Sequence, residues 1–201
     1  MFRNNNRIQT AGMLGMFGAA LFFVGLLIEY HYGLFPPGNG TLYVLNQVQF
    51  TVAMVCILVM LWQMRGMQMG GNGRFARITL TIFPIGWAAL IVANLIGLLT
   101  GNADNLLYPL GGLTNMFFGL LAGIAVALNR SWSGWGRFAL LLQGVYNLLV
   151  MMVLPLILTG SIDPTLLTES LWMATWFLLG LALFQSTREE QPIDAQTRTA
   201  V

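Results

Sequence analysis

The sequence predicts an all-α membrane protein, a bundle of six transmembrane helices with both termini on the cytoplasmic side. Three observations predict this fold: the composition, six long apolar segments, and arginines confined to one side. Of the 201 residues, 57% are apolar and only 8% are charged, and the mean hydropathy is +0.72. A soluble domain carries roughly 25% charged residues. A chain with so few charges could not cover the surface of a soluble fold, so we expect hydrocarbon to solvate most of it.

The six apolar segments are each close to the length that crosses a bilayer. A helix rises 1.5 Å per residue and the hydrocarbon core is roughly 30 Å thick, so about 20 residues are needed. The segments are residues 11–30, 48–64, 78–99, 106–128, 138–158 and 166–184. Continuous apolar runs such as 148–154 do not alternate as barrel strands do. Backbone groups in lipid must then be satisfied within each segment, which predicts helices.

Arginine placement predicts the orientation. The chain has nine basic residues, and all are arginine. They lie before the first segment, between the second and third, between the fourth and fifth, and after the sixth: Arg3, Arg7, Arg65, Arg74, Arg77, Arg130, Arg137, Arg188 and Arg198. The other three loops hold none, and four of the seven acidic residues lie in or beside them: Glu29, Asp104, Asp163 and Glu169. The positive-inside rule makes the arginine side cytoplasmic.

We therefore expect a multi-pass protein of the plasma (cytoplasmic) membrane, a cell inner membrane. Residues 1–186 form one transmembrane domain in this interpretation. Residues 187–201 form a polar cytoplasmic tail, which we expect to be mobile.

The composition also excludes several kinds of chemistry. The absence of lysine excludes a retinal or pyridoxal phosphate (PLP) Schiff base. A single histidine excludes a bis-histidine haem within one chain. The arginines are scattered, without the clustered patch that nucleic acids need. We predict no cofactor, no metal and no nucleic-acid partner.

Four amides in the apolar segments are the strongest polar signal: Asn94, Asn115, Gln143 and Asn147. An unpaired amide facing lipid would cost several kcal/mol, so we expect all four to point inward. Asn115 and Asn147 lie at similar depth, and we expect Asn115 to be hydrogen-bonded to a neighbouring helix, with Asn147 as first choice. Such amides either hold helices together or bind a neutral polar solute.

Glu29 and His31 are candidates on the opposite side from the arginines. A metal or substrate site there would need both, but residues two apart on a continuous helix point in different directions. Two-residue spacing therefore serves a shared site only if the helix has ended. The alternative is an interfacial belt of tyrosines and solvated charges. Trp172, Trp176 and Gly180 share a face of the sixth segment, which indicates core packing or a stacked apolar ligand.

A stripe of small residues follows one face of the fourth segment. Gly111, Asn115, Gly119, Gly123 and Ala127 recur every four residues. Such a stripe lets another helix approach closely, within the bundle or in a homodimer.

These observations predict a non-catalytic membrane protein, a helix-packing module or an accessory subunit of a membrane assembly. Its expected partners are the lipid bilayer and either other membrane subunits or a second copy. The alternative is a small permease or channel for a neutral polar solute that uses the amides of the third to fifth helices. A second alternative is a membrane enzyme or cofactor protein that uses Glu29 and His31.

Overall fold

The fold is all-helical in the described part of the chain. The computed structural model describes residues 2–35, 40–101, 105–129, 132, 134–160 and 165–189, which contain no strand. Six helices are long and apolar enough to cross a membrane. They are α1 (Phe2–Tyr32), α2 (Thr41–Gly66), α3 (Arg74–Thr100), α4 (Leu107–Leu128), α5 (residues 135–159) and α6 (Leu166–Glu189). The prediction of six helices is confirmed. Since α6 runs to Glu189, the predicted tail begins in a helix, and residues 190–201 lie outside the described part.

Each helix packs against its neighbours in sequence, and the last returns to the first. α1 packs on α2 and α6, α3 packs on α2 and α4, and α5 packs on α4 and α6. Neighbours are antiparallel, so the chain alternates between two ends of the bundle. We call one the arginine end, where Arg7, Arg65, Arg74, Arg77 and Arg137 lie. We call the other the acidic end, where Glu29 and Glu169 lie.

The bundle has a mainly apolar core that includes a few polar side chains, and its outer surface is also apolar. Exposed positions on the helices include Phe17, Leu45, Ile85 and Phe117. The buried polar residues are Asn46, Gln47, Thr79, Asn94, Asn115, Gln143, Asn147 and Thr175. Soluble proteins rarely expose apolar patches beyond a few hundred Å². The apolar outer surface is consistent with an integral membrane protein.

Two pairs of helices cross at glycines with their backbones in contact. A Cβ at Gly123 of α4 would lie 2.5 Å from the Leu141 Cα of α5, and one at Gly144 would lie 2.5 Å from the Leu120 Cα. At the crossing of α1 and α6, a Cβ at Gly12 would lie 2.6 Å from the carbonyl oxygen of Gly180. Close backbone approach of this kind supplies van der Waals contact between membrane helices.

α5 departs from the ordinary helix that the sequence predicts. It begins as a 3₁₀ helix (Trp135–Phe138), continues as α-helix (Ala139–Val145), widens into π-helix (Tyr146–Val153) and returns to α-helix (Leu154–Thr159). Pro155 explains the widening, because it has no N–H for the preceding turn and its ring clashes with the carbonyl four residues earlier. π-Helical turns of this kind relieve such a clash.

Candidate functional site

The four amides are all buried, but no hydrogen bond joins one of them to another. Their side chains are 4%, 2%, 0% and 4% exposed at Asn94, Asn115, Gln143 and Asn147. Asn94 lies towards the acidic end of α3. Asn115 abuts Gly86 and Gln143 abuts Gly119, so these two lie deeper in the bundle.

Asn94 joins three helices through hydrogen bonds. Its amide nitrogen donates to the Gln47 carbonyl oxygen at 3.0 Å and to the Thr51 hydroxyl at 2.9 Å, both on α2. Its amide oxygen accepts a bond from the Tyr108 hydroxyl of α4 at 3.0 Å. Both N–H groups of the amide are therefore used. Asn94 acts as structural glue and fixes the position of the Tyr108 ring.

Asn115 and Gln143 are different, because their amide atoms have no hydrogen-bond partner. The predicted bond from Asn115 to a neighbouring helix, with Asn147 as its first choice, is wrong. The physical reason is that the small-residue face of α4 carries Asn115 against Gly86 of α3, where a Cβ would meet the amide oxygen at 2.7 Å. The close approach of the two backbones brings no polar group to that amide. Asn147 is buried in the π-helical part of α5.

The small-residue stripe lies inside the bundle along most of its length. Gly111 faces Leu90, Gly119 faces Phe83, and Gly123 faces the α5 backbone. Ala127 is only half-buried, since a four-residue repeat drifts around the helix.

A cavity of about 420 Å³ opens near the acidic end of the bundle. Five of the six helices contribute to it, and α5 does not. We call it the acidic-end pocket, lined by Phe22, Leu26 and Glu29 of α1, Gln47, Phe50 and Met54 of α2, Trp87, Leu90 and Asn94 of α3, Tyr108 of α4, and Glu169 and Trp172 of α6. Four of the five contributing helices place residues three, four or seven apart along one face, which is the spacing that brings side chains into line, and α4 contributes Tyr108 alone.

The pocket has a polar rim and an aromatic floor. Asn94 and Trp87 are seven residues apart on α3, as are Glu29 and Phe22 on α1, so the rim stands about 10 Å above the floor. The rings of the floor touch one another. Phe22 lies 4.6 Å from Phe50 and 6.1 Å from Trp172, and Trp172 stacks at 6.0 Å on Trp87, all between ring centroids.

Two carboxylates, Glu29 and Glu169, stand at the rim. Both are half-buried, and Glu169 is hydrogen-bonded to the Tyr30 hydroxyl. The sequence has no lysine, and every described arginine lies in the half of its helix nearer the arginine end. The pocket therefore combines two acidic side chains with apolar walls, and no basic side chain lies beside them.

Two indole N–H groups of the pocket lack an acceptor. Trp87 is 0% exposed, and neither its indole nitrogen nor that of Trp172 has a hydrogen-bond partner. A buried donor without a partner costs free energy, which a bound molecule with an acceptor oxygen would recover.

The structure separates Glu29 from His31. α1 continues as a regular helix to Tyr32, so the two side chains leave it in different directions. Glu29 lines the acidic-end pocket, whereas His31 is exposed and makes an edge contact with the Tyr32 ring at 4.6 Å. The structure therefore places Glu29 and His31 beside different cavities. Among the described residues, no three histidine, cysteine or acidic side chains lie together as metal ligands would.

Sequence reasoning missed the pocket, although part of its signal was visible. Glu29 follows Phe22 and Leu26 on one face of α1, and Asn94 follows Trp87 and Leu90 on one face of α3. Each set places a polar residue one turn beyond apolar residues on the same face. No family model, curated protein or solved structure matches this chain.

Proposed function

We propose that this chain is a non-catalytic integral membrane protein that binds a small solute in the acidic-end pocket. The observation that carries the proposal is the cavity of about 420 Å³, which side chains from five helices line. Pockets of 300–1,000 Å³ with mostly apolar walls and a few polar groups are typical of small-molecule sites. Membrane helices that only packed together would have no need to hold this space open.

The positive-inside rule supports a side for the pocket. If the arginine end faces the cytoplasm, the acidic end and its pocket face the outside of the cell. The proposal is then a protein that takes its solute from the external medium. The partnerless amides of Asn115 and Gln143, deeper in the bundle, would suit a polar route onward from the pocket.

A thermal-stability screen of the purified protein tests the proposal. A solute that occupies the pocket binds only the folded state and raises the midpoint of unfolding. The pocket is blocked in the Leu90→Cys variant, made in a Cys56→Ala background, by alkylating the new cysteine with N-ethylmaleimide. The control is alkylated Val92→Cys, at similar depth on the outward face of α3.

Solutes that stabilise the control and fail to stabilise the alkylated Leu90→Cys variant would support the proposal. A library of amines, acids, sugars and alcohols with no stabilising member would contradict it. Stabilisation that survives alkylation at Leu90→Cys would also contradict it.

A second candidate function is an accessory subunit of a membrane assembly, which the poor burial of α5 within the bundle favours. Only 22% of the most apolar window of α5 is buried in the bundle, against 39% to 44% for the other helices. A partner helix on α5 would cover that face. Cysteine crosslinking in membranes from the Leu149→Cys variant tests this, with Leu99→Cys as a control on an exposed face of α3. If neither position forms a crosslink, the accessory-subunit hypothesis loses its support.

A further inference from the structure

We infer that the acidic-end pocket takes a small organic ammonium cation, with its charge beside Glu29 and Glu169 and its apolar body on the aromatic floor. This inference rests on the proposed function, since it names the class of solute for the same pocket.

The first step is the charge of the rim. Glu29 and Glu169 line one cavity, and no lysine exists to neutralise either. The loops at this end, residues 33–40, 101–106 and 159–165, hold no arginine. Two neighbouring acidic groups in a poorly hydrated place favour a positive ligand, because a bound cation stabilises their ionised forms.

The second step is the aromatic floor. Phe22, Phe50, Trp87 and Trp172 form a continuous set of rings, with neighbouring centroids 4.6–6.1 Å apart. A cation within about 6 Å of a ring centroid is attracted to the ring face, most strongly for tryptophan. Alkylated ammonium groups use such surroundings, because their shallow hydration is easily replaced by ring faces.

The third step separates an organic cation from a metal ion. Hard cations such as Ca²⁺ take 6–8 oxygen ligands. Asn94 already spends its amide on helix contacts, and the described residues hold no cluster of three metal-ligating side chains. The apolar walls also suit a ligand with a hydrocarbon body, which a metal ion lacks.

The fourth step is the pair of indole donors. The Trp87 indole N–H is fully buried without an acceptor, and the Trp172 indole N–H also lacks one. Both residues line the pocket. An ammonium ligand that carries a hydroxyl oxygen would give one of these donors a partner.

The test compares a cation with a neutral molecule of the same shape. Choline and 3,3-dimethylbutan-1-ol have the same shape and differ only in the quaternary nitrogen of choline, which carries a positive charge where the alcohol has a neutral carbon. Calorimetry on the purified full chain in detergent should show choline binding at least roughly tenfold tighter than the alcohol. Glu29→Gln and Glu169→Gln should each weaken choline roughly tenfold and leave the alcohol unchanged. Trp172→Leu should weaken choline roughly fivefold.

Glu189→Gln is the matched control, because it removes a carboxylate from the far end of α6 and should leave both affinities unchanged. Circular dichroism of each variant shows that it is folded, and Glu29→Gln carries the test if Glu169→Gln is not.

The inference is overturned by equal binding of choline and the alcohol, by no binding of either, or by choline binding that is unchanged in the folded Glu29→Gln variant. Heat from NaCl or CaCl₂ but not from choline would also overturn it, and would assign the rim to an inorganic ion. Equal binding of choline and the alcohol that alkylation at Leu90→Cys abolishes would leave the proposed function standing. Choline binding that survives the alkylation would place the binding site elsewhere and would contradict both the inference and the proposed function.

Discussion

Replacing Gly123 by alanine should destabilise the bundle, while the same replacement at Gly112 should not. The two glycines differ in what packs against them, because α5 crosses α4 at Gly123 and nothing covers Gly112. A Cβ at Gly123 would lie 2.5 Å and 2.8 Å from backbone atoms of Leu141 and 2.9 Å from the Leu140 carbonyl oxygen. A Cβ at Gly112 would meet nothing within 4 Å.

The magnitude follows from what has to move. All three atoms near Gly123 belong to the backbone of α5, so no side-chain rotation relieves the clash. The helices must separate by about 0.9 Å to restore a contact of 3.4 Å. Overpacking typically costs about 1–3 kcal/mol. Both variants gain the same helix propensity, about 1 kcal/mol for alanine over glycine. The Gly123→Ala variant should thus be about 1–3 kcal/mol less stable than Gly112→Ala.

The assay is reversible unfolding in mixed micelles of dodecylmaltoside and sodium dodecyl sulfate, followed by circular dichroism. The free energies of unfolding of the two variants are compared with each other, since that comparison cancels helix propensity. Equal stability of Gly123→Ala and Gly112→Ala would refute the close crossing of α4 and α5.

Two further predictions concern the amides and the topology. Asn94→Leu should lower the free energy of unfolding by about 2 kcal/mol, because it breaks three hydrogen bonds that membrane proteins value at about 0.6 kcal/mol each. Asn115→Leu should leave it unchanged or raise it, since no bond is lost; a larger loss at Asn115 than at Asn94 in the same unfolding assay would contradict both. An impermeant thiol reagent added to intact cells should label Gly40→Cys and not Asn72→Cys in a chain without Cys56, and the reverse pattern would overturn the predicted orientation.

The number and placement of the helices could be predicted because lipid leaves few choices. A run of enough apolar residues suffices to predict a span such as 78–99. A four-residue repeat suffices to predict the packing face that runs from Gly111 to Gly123. Both signals are local in sequence. The π-helical stretch before Pro155 was less accessible, because a proline in a helix can be accommodated by a kink, a break or a widened turn.

The pocket could not be predicted with the same ease, because it depends on how five helices are rotated towards one another. Glu29 and Glu169 are 140 residues apart, and nothing in the sequence fixes their distance. In the sequence, Glu29 is followed by three residues with aromatic rings, and this pattern favours the interpretation as an interfacial belt. The hydrogen bond predicted for Asn115 was wrong for the same reason. The sequence gives the depth of a residue along its helix, but it does not give the rotation of that helix about its axis.

Cysteine labelling of α3 tests most directly whether a water-filled pocket opens at the acidic end. Leu90 lines the pocket, and Val92, two residues away, points outward at similar depth. A small impermeant methanethiosulfonate reagent added outside intact cells should modify the Leu90→Cys variant rapidly and the Val92→Cys variant slowly, since a thiol in lipid stays protonated and unreactive. Labelling of Val92→Cys at the same rate as Leu90→Cys, or of neither, would contradict the account.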